Sequence, residues 1–305
     1  MRSQARTFQP HPIAGCLARL GQRGEIFPLL AGLLPGLAFA ELPAGGAVVG
    51  GAASATIGYP AANRMVVNQV IDRSIINWQS FSIGSGNYVQ FIQPSSSSVV
   101  LNRVVGGSPS DILGSMSANG QVFLVNPNGV FFGAGASIDV AGLVATTLAI
   151  RDQDFLAGNH VFSRDAASPA LAKVTNAGTI AARDGGYVVL AGDYAANTGV
   201  IQARLGTVAL AAGNKLTLDL QGDRLINFAV NEKTLASLAG VANAGQLLAD
   251  GGRVVMTAAV AGDLAATVVN NTGLVQAQSM VEHDGSIYLA ADGGSIRVGG
   301  TLDAS

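Results

Sequence analysis

A chain of 305 residues, 49% of them hydrophobic, can bury a large core and is too apolar to stay disordered. Charged residues make up only 12%, against roughly 25% in an ordinary globular protein, and the formal net charge of −2 gives no basic footprint for nucleic acid. Forty glycines and few aromatics point to many turns between short runs of small and β-branched residues.

In chain order, the first predicted element is an export signal over residues 1–40. Arg19 and Arg23 form its basic region. Residues 26–39 are an apolar stretch shorter than the about 20 residues that a membrane span needs. Ala38-Phe39-Ala40 supplies the small residues Ala38 and Ala40 of an A-x-A cleavage pattern. A buried helix is the alternative reading, but Pro28 and Pro35 would each disrupt its interior. The single cysteine, Cys16, precedes the apolar stretch, so it is not placed for lipid acylation. The exported chain would then hold itself together by packing and backbone hydrogen bonds alone.

Residues 41–63 are rich in Gly and Ala and suit a wrapping segment. From Ser74 onward, strand-like runs alternate with breaks at residues 84–87 and 94–98. Residues 109–116, PSDILGSM, read as a short helix with Ser108 or Ser110 as its cap, and residues 151–158, RDQDFLAG, as one helical turn. Between them lies GQVFLVNPNGVFFG, in which Asn126-Pro127-Asn128-Gly129 separates two apolar runs. Pro127 fits the second position of a type I turn beginning at Asn126. A two-residue hairpin on Asn128-Gly129 is the competing assignment. The flanking runs read as strands covered on both faces.

The second half repeats. NAGTIAARDGGYVVLAG begins at Asn176, NTGVIQARLGTVALAAG at Asn197, NAGQLLADGGRVVMTAA at Asn243 and NTGLVQAQSMVEHDGSIYLAA at Asn271. The first two starts are 21 residues apart. The 46 residues from Asn197 to Asn243 fit two units, and the 28 from Asn243 to Asn271 fit one unit with an insertion. Units this short with strand chemistry suit the rungs of a parallel β-helix, with each strand paired to those above and below. Ile180, Val189, Ile201 and Val208 are the expected inward ladder. The repeated Asn suits a buried turn whose amide bonds to the next rung. Residues 41–305 would give about twelve rungs and a rod of ~60 Å. An open rung is a sheet edge that recruits strands, so residues 41–63 are expected to cap the first rung. The last residues stop within the pattern, as in a piece of a longer rod.

Chemistry-bearing constellations are scarce. His11, His160 and His283 are scattered, and no metal-ligand spacing, nucleophile elbow or phosphate loop is present. Asp152 with Asp154, Asp184 with Asp193 and Asp219 with Asp223 are the acid pairs that a polysaccharide-acting β-helix enzyme would need, and each reads more simply as solvated turn residues. No enzyme, cofactor, metal or small-molecule substrate is expected.

Residues 75–162 carry a resemblance. INWQSFSIGSGNYVQFIQP, VLNRVVGG, ANGQVFLVNPNGVFFGAGASIDVAGLVATT and DQDFLAGNHVF resemble the two-partner secretion domain of filamentous haemagglutinin-type (TpsA) exoproteins, most of all the branch of the high-molecular-weight adhesins and haem–haemopexin utilisation proteins. The resemblance implies an all-β chain, a right-handed parallel β-helix with an N-terminal cap and short extra-helical elements. It divides the chain into a signal (1–40), a secretion domain (41–170) and further rungs (171–305). It also implies passage by the Sec machinery, then recognition by the POTRA modules of an outer-membrane Omp85-type TpsB transporter, and folding at the surface of a Gram-negative cell. The family's NPNG motif falls on Asn126, Pro127, Asn128 and Gly129, and its Asn-Arg-Val segment on Asn102, Arg103 and Val104. The NPNL motif of the haemagglutinin branch is absent. The resemblance implies an adhesin for a host receptor or glycan, with a binder of a haem carrier or a toxin-delivery stalk as alternatives; a β-helix enzyme acting on polysaccharide is the last reading, and it rests on the fold alone.

Overall fold

The computed structural model describes residues 41–49, 54–165, 168–169, 171–219, 227–232, 240–260, 267–281 and 283–305. The signal over residues 1–40, with Ala38 and Ala40, therefore lies outside the described residues, as do Cys16, His11 and Asp223.

Short β-branched runs separated by Gly, Asn and Asp form strands that stack in parallel on three faces. The first face holds Arg64–Gln69, Tyr88–Ile92, Ser115–Ala118, the start of Ser137–Thr146, the start of Thr179–Gly192, Val200–Ala203, Gln246–Leu248, Leu274–Gln276 and Thr301–Asp303. The second face runs from Arg73–Trp78 through Val99–Val104, Gln121–Val125, the ends of the two long strands, Thr207–Ala212 and Arg253–Ala259 to Ser286–Asp292. The third holds Ser110–Ile112, Val130–Phe132, Lys173–Asn176, Tyr194–Asn197, Gly240–Asn243, Thr267–Asn271 and Ser295–Val298. This is the expected parallel β-helix. Among the described residues it makes eight rungs and the first strand of a ninth, about 40 Å of rod at the strand spacing.

The count falls below twelve for a physical reason. Asn197 lies directly opposite Asn243, so the 46 residues between them form one rung and not two. The surplus leaves the rod as Lys215–Asp219 and Asn227–Glu232, which pair antiparallel with each other and, through Lys215–Asp219, with His160–Ser163. Residues 109–116 are likewise strand and not helix. Ser110–Ile112 pairs with Val130–Phe132 on the third face, and Ser115–Ala118 lies on the first. A segment that short has no stable helix of its own, and ladder pairing decides. The other short helix forms as expected at Asp152–Ala157, closed by Gly158 at φ 79.

The rod interior is built from columns such as Val100, Val122, Leu143, Val188, Val208 and Val254. Ile180 stacks on Ile201 in a second column, as expected. Val189 does not join them. It is buried, but in an outer column with Leu101, Phe123, Val144 and Ala209. The helix Asp152–Ala157 and the antiparallel strands cover that column, so the middle rungs of the second face are apolar on both sides and their sequence loses the period-2 signal.

The first rung is capped as expected. Ala55–Ala61 pairs antiparallel with Arg64–Gln69, and Ala47–Val49 with Arg73–Trp78, which occupies both strand edges. The repeated asparagines form the expected ladder. Asn176 donates to Asn197 Oδ1 at 2.8 Å, Asn197 to Asn243 at 2.9 Å and Asn243 to Asn271 at 2.8 Å. In the same register the column begins with Ile112 and Phe132 and ends with Val298.

Candidate functional site: the Asn126–Gly129 corner

Gln121–Val125 is buried on both sides: Val122 and Leu124 point into the rod, Phe123 and Val125 into the outer layer. The chain must then turn onto the third face. The Gly129 N–H donates to Asn126 O at 3.0 Å, which closes the four-residue turn from Asn126 to Gly129. The Asn126 side-chain oxygen accepts the Asn128 N–H at 2.9 Å, reinforcing it from within. Gly129 sits at φ +117, and a Cβ there would lie 3.1 Å from Lys173 O. The two flanking strands pair with neighbouring rungs on different faces and not with each other, so the hairpin on Asn128-Gly129 does not form. Only the first run is covered on both sides; in Val130–Phe132 the middle residue, Phe131, points away from the interior and is 39% exposed.

The corner is tied to its neighbours by side chains. Asn126 is fully buried and donates to Ser110 Oγ at 2.9 Å and to Ser108 O at 3.0 Å. Asn128 donates to Gly106 O at 2.9 Å. The Asn126 N–H bonds up to Thr146 O, and the Ser110 N–H donates to Gly129 O, both at 3.0 Å. Both amide hydrogens of Asn126 have partners, and its oxygen accepts twice from Asn128. Pro127 and Asn128 are half-buried, and Asn126 and Gly129 are buried. The motif is therefore a recessed staple between three rungs.

The structure brings the Asn-Arg-Val segment to the same place. Asn102 pairs with Leu124 and Arg103 with Val125, one rung before the corner. Asn102 points into the rod, where its oxygen accepts from Trp78 Nε1 at 3.0 Å and its amide donates to Phe123 O at 3.4 Å. Arg103 points outward. It donates to Ile150 O at 2.8 Å and pairs with Asp152 at 2.6 Å, which fastens the outer helix to the rod. Val104 is buried in the interior.

Two features escaped the sequence reading. Gln69 and Gln93 form a buried amide ladder at another corner, with Gln93 Nε2 donating to Gln69 Oε1 at 3.0 Å, and Asn119 continues it by holding both backbone groups of Gln93 at 2.7 Å. The 24-residue offset of the glutamines was the available signal. His160 is buried against Phe123 and Phe155, with ring centroids 5.2 and 6.5 Å away. Desolvation, with Arg73 nearby, lowers its pKa to about 4, against a smaller opposing pull from Asp219. Nothing in the neighbourhood of His160 in sequence announces that setting.

The acid pairs are dispersed. Asp152 and Asp154 share the first turn of the outer helix. Asp184 is exposed and paired with Arg204, whose hydrogen bond holds its carboxyl below the usual carboxylate range. Asp193 is buried and paired with Arg164 at a different corner. Asp219 ends the strand Lys215–Asp219 of the outer layer.

A family model described as the TPS secretion domain matches residues 42–304. A heme/hemopexin-binding protein of Haemophilus influenzae strain Rd is 39% identical over 220 residues, 68% of this chain and 23% of that protein. A second heme/hemopexin-binding protein of Haemophilus influenzae is 33% identical over 257 residues, 78% of this chain and 27% of its own length. The chain thus spans about a quarter of the curated relatives it matches. The crystal structure of the HMW1 secretion domain from Haemophilus influenzae superposes with a TM-score of 0.75 at 34% identity, over 85% of this chain and 66% of that one.

Proposed function

Because the chain belongs to the TPS secretion domain family, we propose that residues 41–170 direct an exoprotein through a dedicated outer-membrane barrel and that residues 171–305 extend the rod which those first turns template. The family is that of two-partner secretion exoproteins, which are sent across the outer membrane of Gram-negative bacteria. In this reading a leader cut after Ala40 takes the chain through the Sec machinery. The POTRA modules of an Omp85-type TpsB transporter then engage it, and the rod forms outside.

The observation that supports a templating role is the Asn126 corner. Its hydrogen bonds to Ser110 and Ser108 on one side and Thr146 on the other are complete only when successive rungs are in register. Asn126, Pro127, Asn128 and Gly129 act in this reading as a register staple. Asn102, Arg103 and Val104 join it to the interior and to the outer helix. No catalytic role is proposed.

For the whole protein, we assign adhesion to a host receptor or glycan. The names of the two Haemophilus relatives favour a second reading, capture of a haem carrier. Expression in a Gram-negative host with and without the partner barrel tests the export reading. Release of the chain into the medium only when the barrel is present is the expected result; equal release without it would sink the proposal.

A further inference from the structure

Asn119 and Asn128 are the two asparagines of the chain that precede a glycine. That pairing is the most labile setting for an asparagine amide, because a glycine N–H is unhindered. The deprotonated glycine nitrogen attacks the side-chain carbonyl carbon, a C–N bond forms and ammonia leaves. Water then opens the resulting five-membered succinimide to aspartate or isoaspartate. No other reactant is required.

The folded chain blocks each participant in this step at both places. At the first, the Asn119 amide donates to Gln93 O and accepts the Gln93 N–H, both at 2.7 Å, while the Gly120 N–H donates to Gln93 Oε1 at 3.0 Å. At the second, the Asn128 amide donates to Gly106 O at 2.9 Å and Asn126 Oδ1 at 3.2 Å, while the Gly129 N–H donates to Asn126 O at 3.0 Å. Attack requires the side chain to rotate out of these bonds and the glycine nitrogen to give up its proton, which is already held by an oxygen. The glycines are also fixed by their neighbours. A Cβ at Gly120 would lie 2.6 Å from Ser98 O, and Gly129 holds φ +117.

We propose that Asn119 and Asn128 are deamidation sites of the unfolded chain, closed chemically by formation of the rungs that carry them. The product is incompatible with the corner. A carboxylate at 128 would face Gly106 O and Asn126 Oδ1, two acceptors, with no proton to offer either. A chain kept too long in the unfolded state therefore folds to a weakened corner, without the bond from residue 128 to Gly106 O. That consequence for export rests on the proposed unfolded passage through the barrel; the chemistry does not.

The test uses the full purified chain, incubated at mildly alkaline pH either native or in urea and sampled for peptide mass spectrometry. The expected result is amide loss at Asn119 and Asn128 in urea, faster than at Asn63 or Asn68 of the same sample, with retention at both sites in the native chain. Equal loss in native and denatured chain would overturn the protection. The aged, denatured chain is then diluted to refold. A lower yield of folded protein, worst in the fraction converted at 128, is expected, and Asn128→Asp should lower the urea midpoint. Refolding of the converted chain to the wild-type yield and midpoint would overturn the second step. Neither arm involves the barrel, so failure of the export reading leaves this result standing, and the reverse.

Discussion

The side-chain amide of Asn126 donates to Ser110 Oγ at 2.9 Å from one rung to the one before it, and both residues are fully buried. Neither group reaches water, so each depends on the other for its hydrogen bond. Asn126→Ala removes that donor, the bond to Ser108 O and the acceptor for the Asn128 N–H. The expected loss is about 2–3 kcal/mol, the cost of leaving buried polar groups unpaired. Asn128→Ala loses chiefly the half-buried bond to Gly106 O and should cost about 1 kcal/mol. Urea denaturation of both variants checks this; equal midpoints for the two would remove the distinction between staple and rim.

The asparagine ladder makes a positional prediction. Asn197 accepts from Asn176 and donates to Asn243, so Asn197→Ala takes one hydrogen bond from the buried asparagine on either side. Asn271 accepts from Asn243, and the column beyond it is already Val298. Asn197→Ala is expected to cost about 2–4 kcal/mol and Asn271→Ala roughly half of that. A larger loss at Asn271 would show that the ladder is not held pair by pair.

How much of this was legible follows from how each group is used. The ladder asparagines recur at a fixed place before Gly, and a recurrent polar residue at a turn has few uses other than bonding its own copies. The choice between Val188 and Val189 was not legible, because the second face is covered on both sides at that rung and both residues are buried. Nor was the excursion between Asn197 and Asn243, since its strands carry the same small and β-branched residues as a rung. The NPNG turn could be read from Pro127 and Gly129, but its partners Ser108 and Ser110 lie in a segment that resembles a helix until the next rung pairs with it. Local pattern reports the turn; which groups it stitches together is a property of the stacked rod.

Arg103 gives a regional prediction. Its contacts to Ile150 O and Asp152 hold the outer helix, and the ion pair is partly exposed. Arg103→Ala should lower global stability by only about 1 kcal/mol. The larger effect should be local, with amide hydrogen exchange accelerating across residues 149–163 and not in the rungs beneath. Arg103→Lys keeps the charge without the planar fork and should recover part of that protection. Uniform acceleration through the whole rod would mean that the outer layer and the rungs open as one unit.

His160 sets the pH response of the same layer. Its imidazole packs against Phe123 and Phe155, and burial with Arg73 close by depresses its pKa from 6.5 to about 4, with Asp219 pulling weakly the other way. In the unfolded chain it titrates near 6.5. Between 6.5 and about 4 the unfolded state therefore binds more protons than the folded one, and stability rises with pH across that window. The contribution is fully present above 6.5 and lost progressively as the pH falls toward 4, by up to about 3 kcal/mol. Protonation would place a cation beside Arg73 in an aromatic setting, so the outer strand His160–Ser163 should loosen first. Urea midpoints taken from pH 7 to pH 4.5 should fall for the wild type, and the slope should flatten in His160→Leu, which keeps the packing and removes the titration. Identical pH profiles in the two proteins would assign the acid sensitivity to other groups.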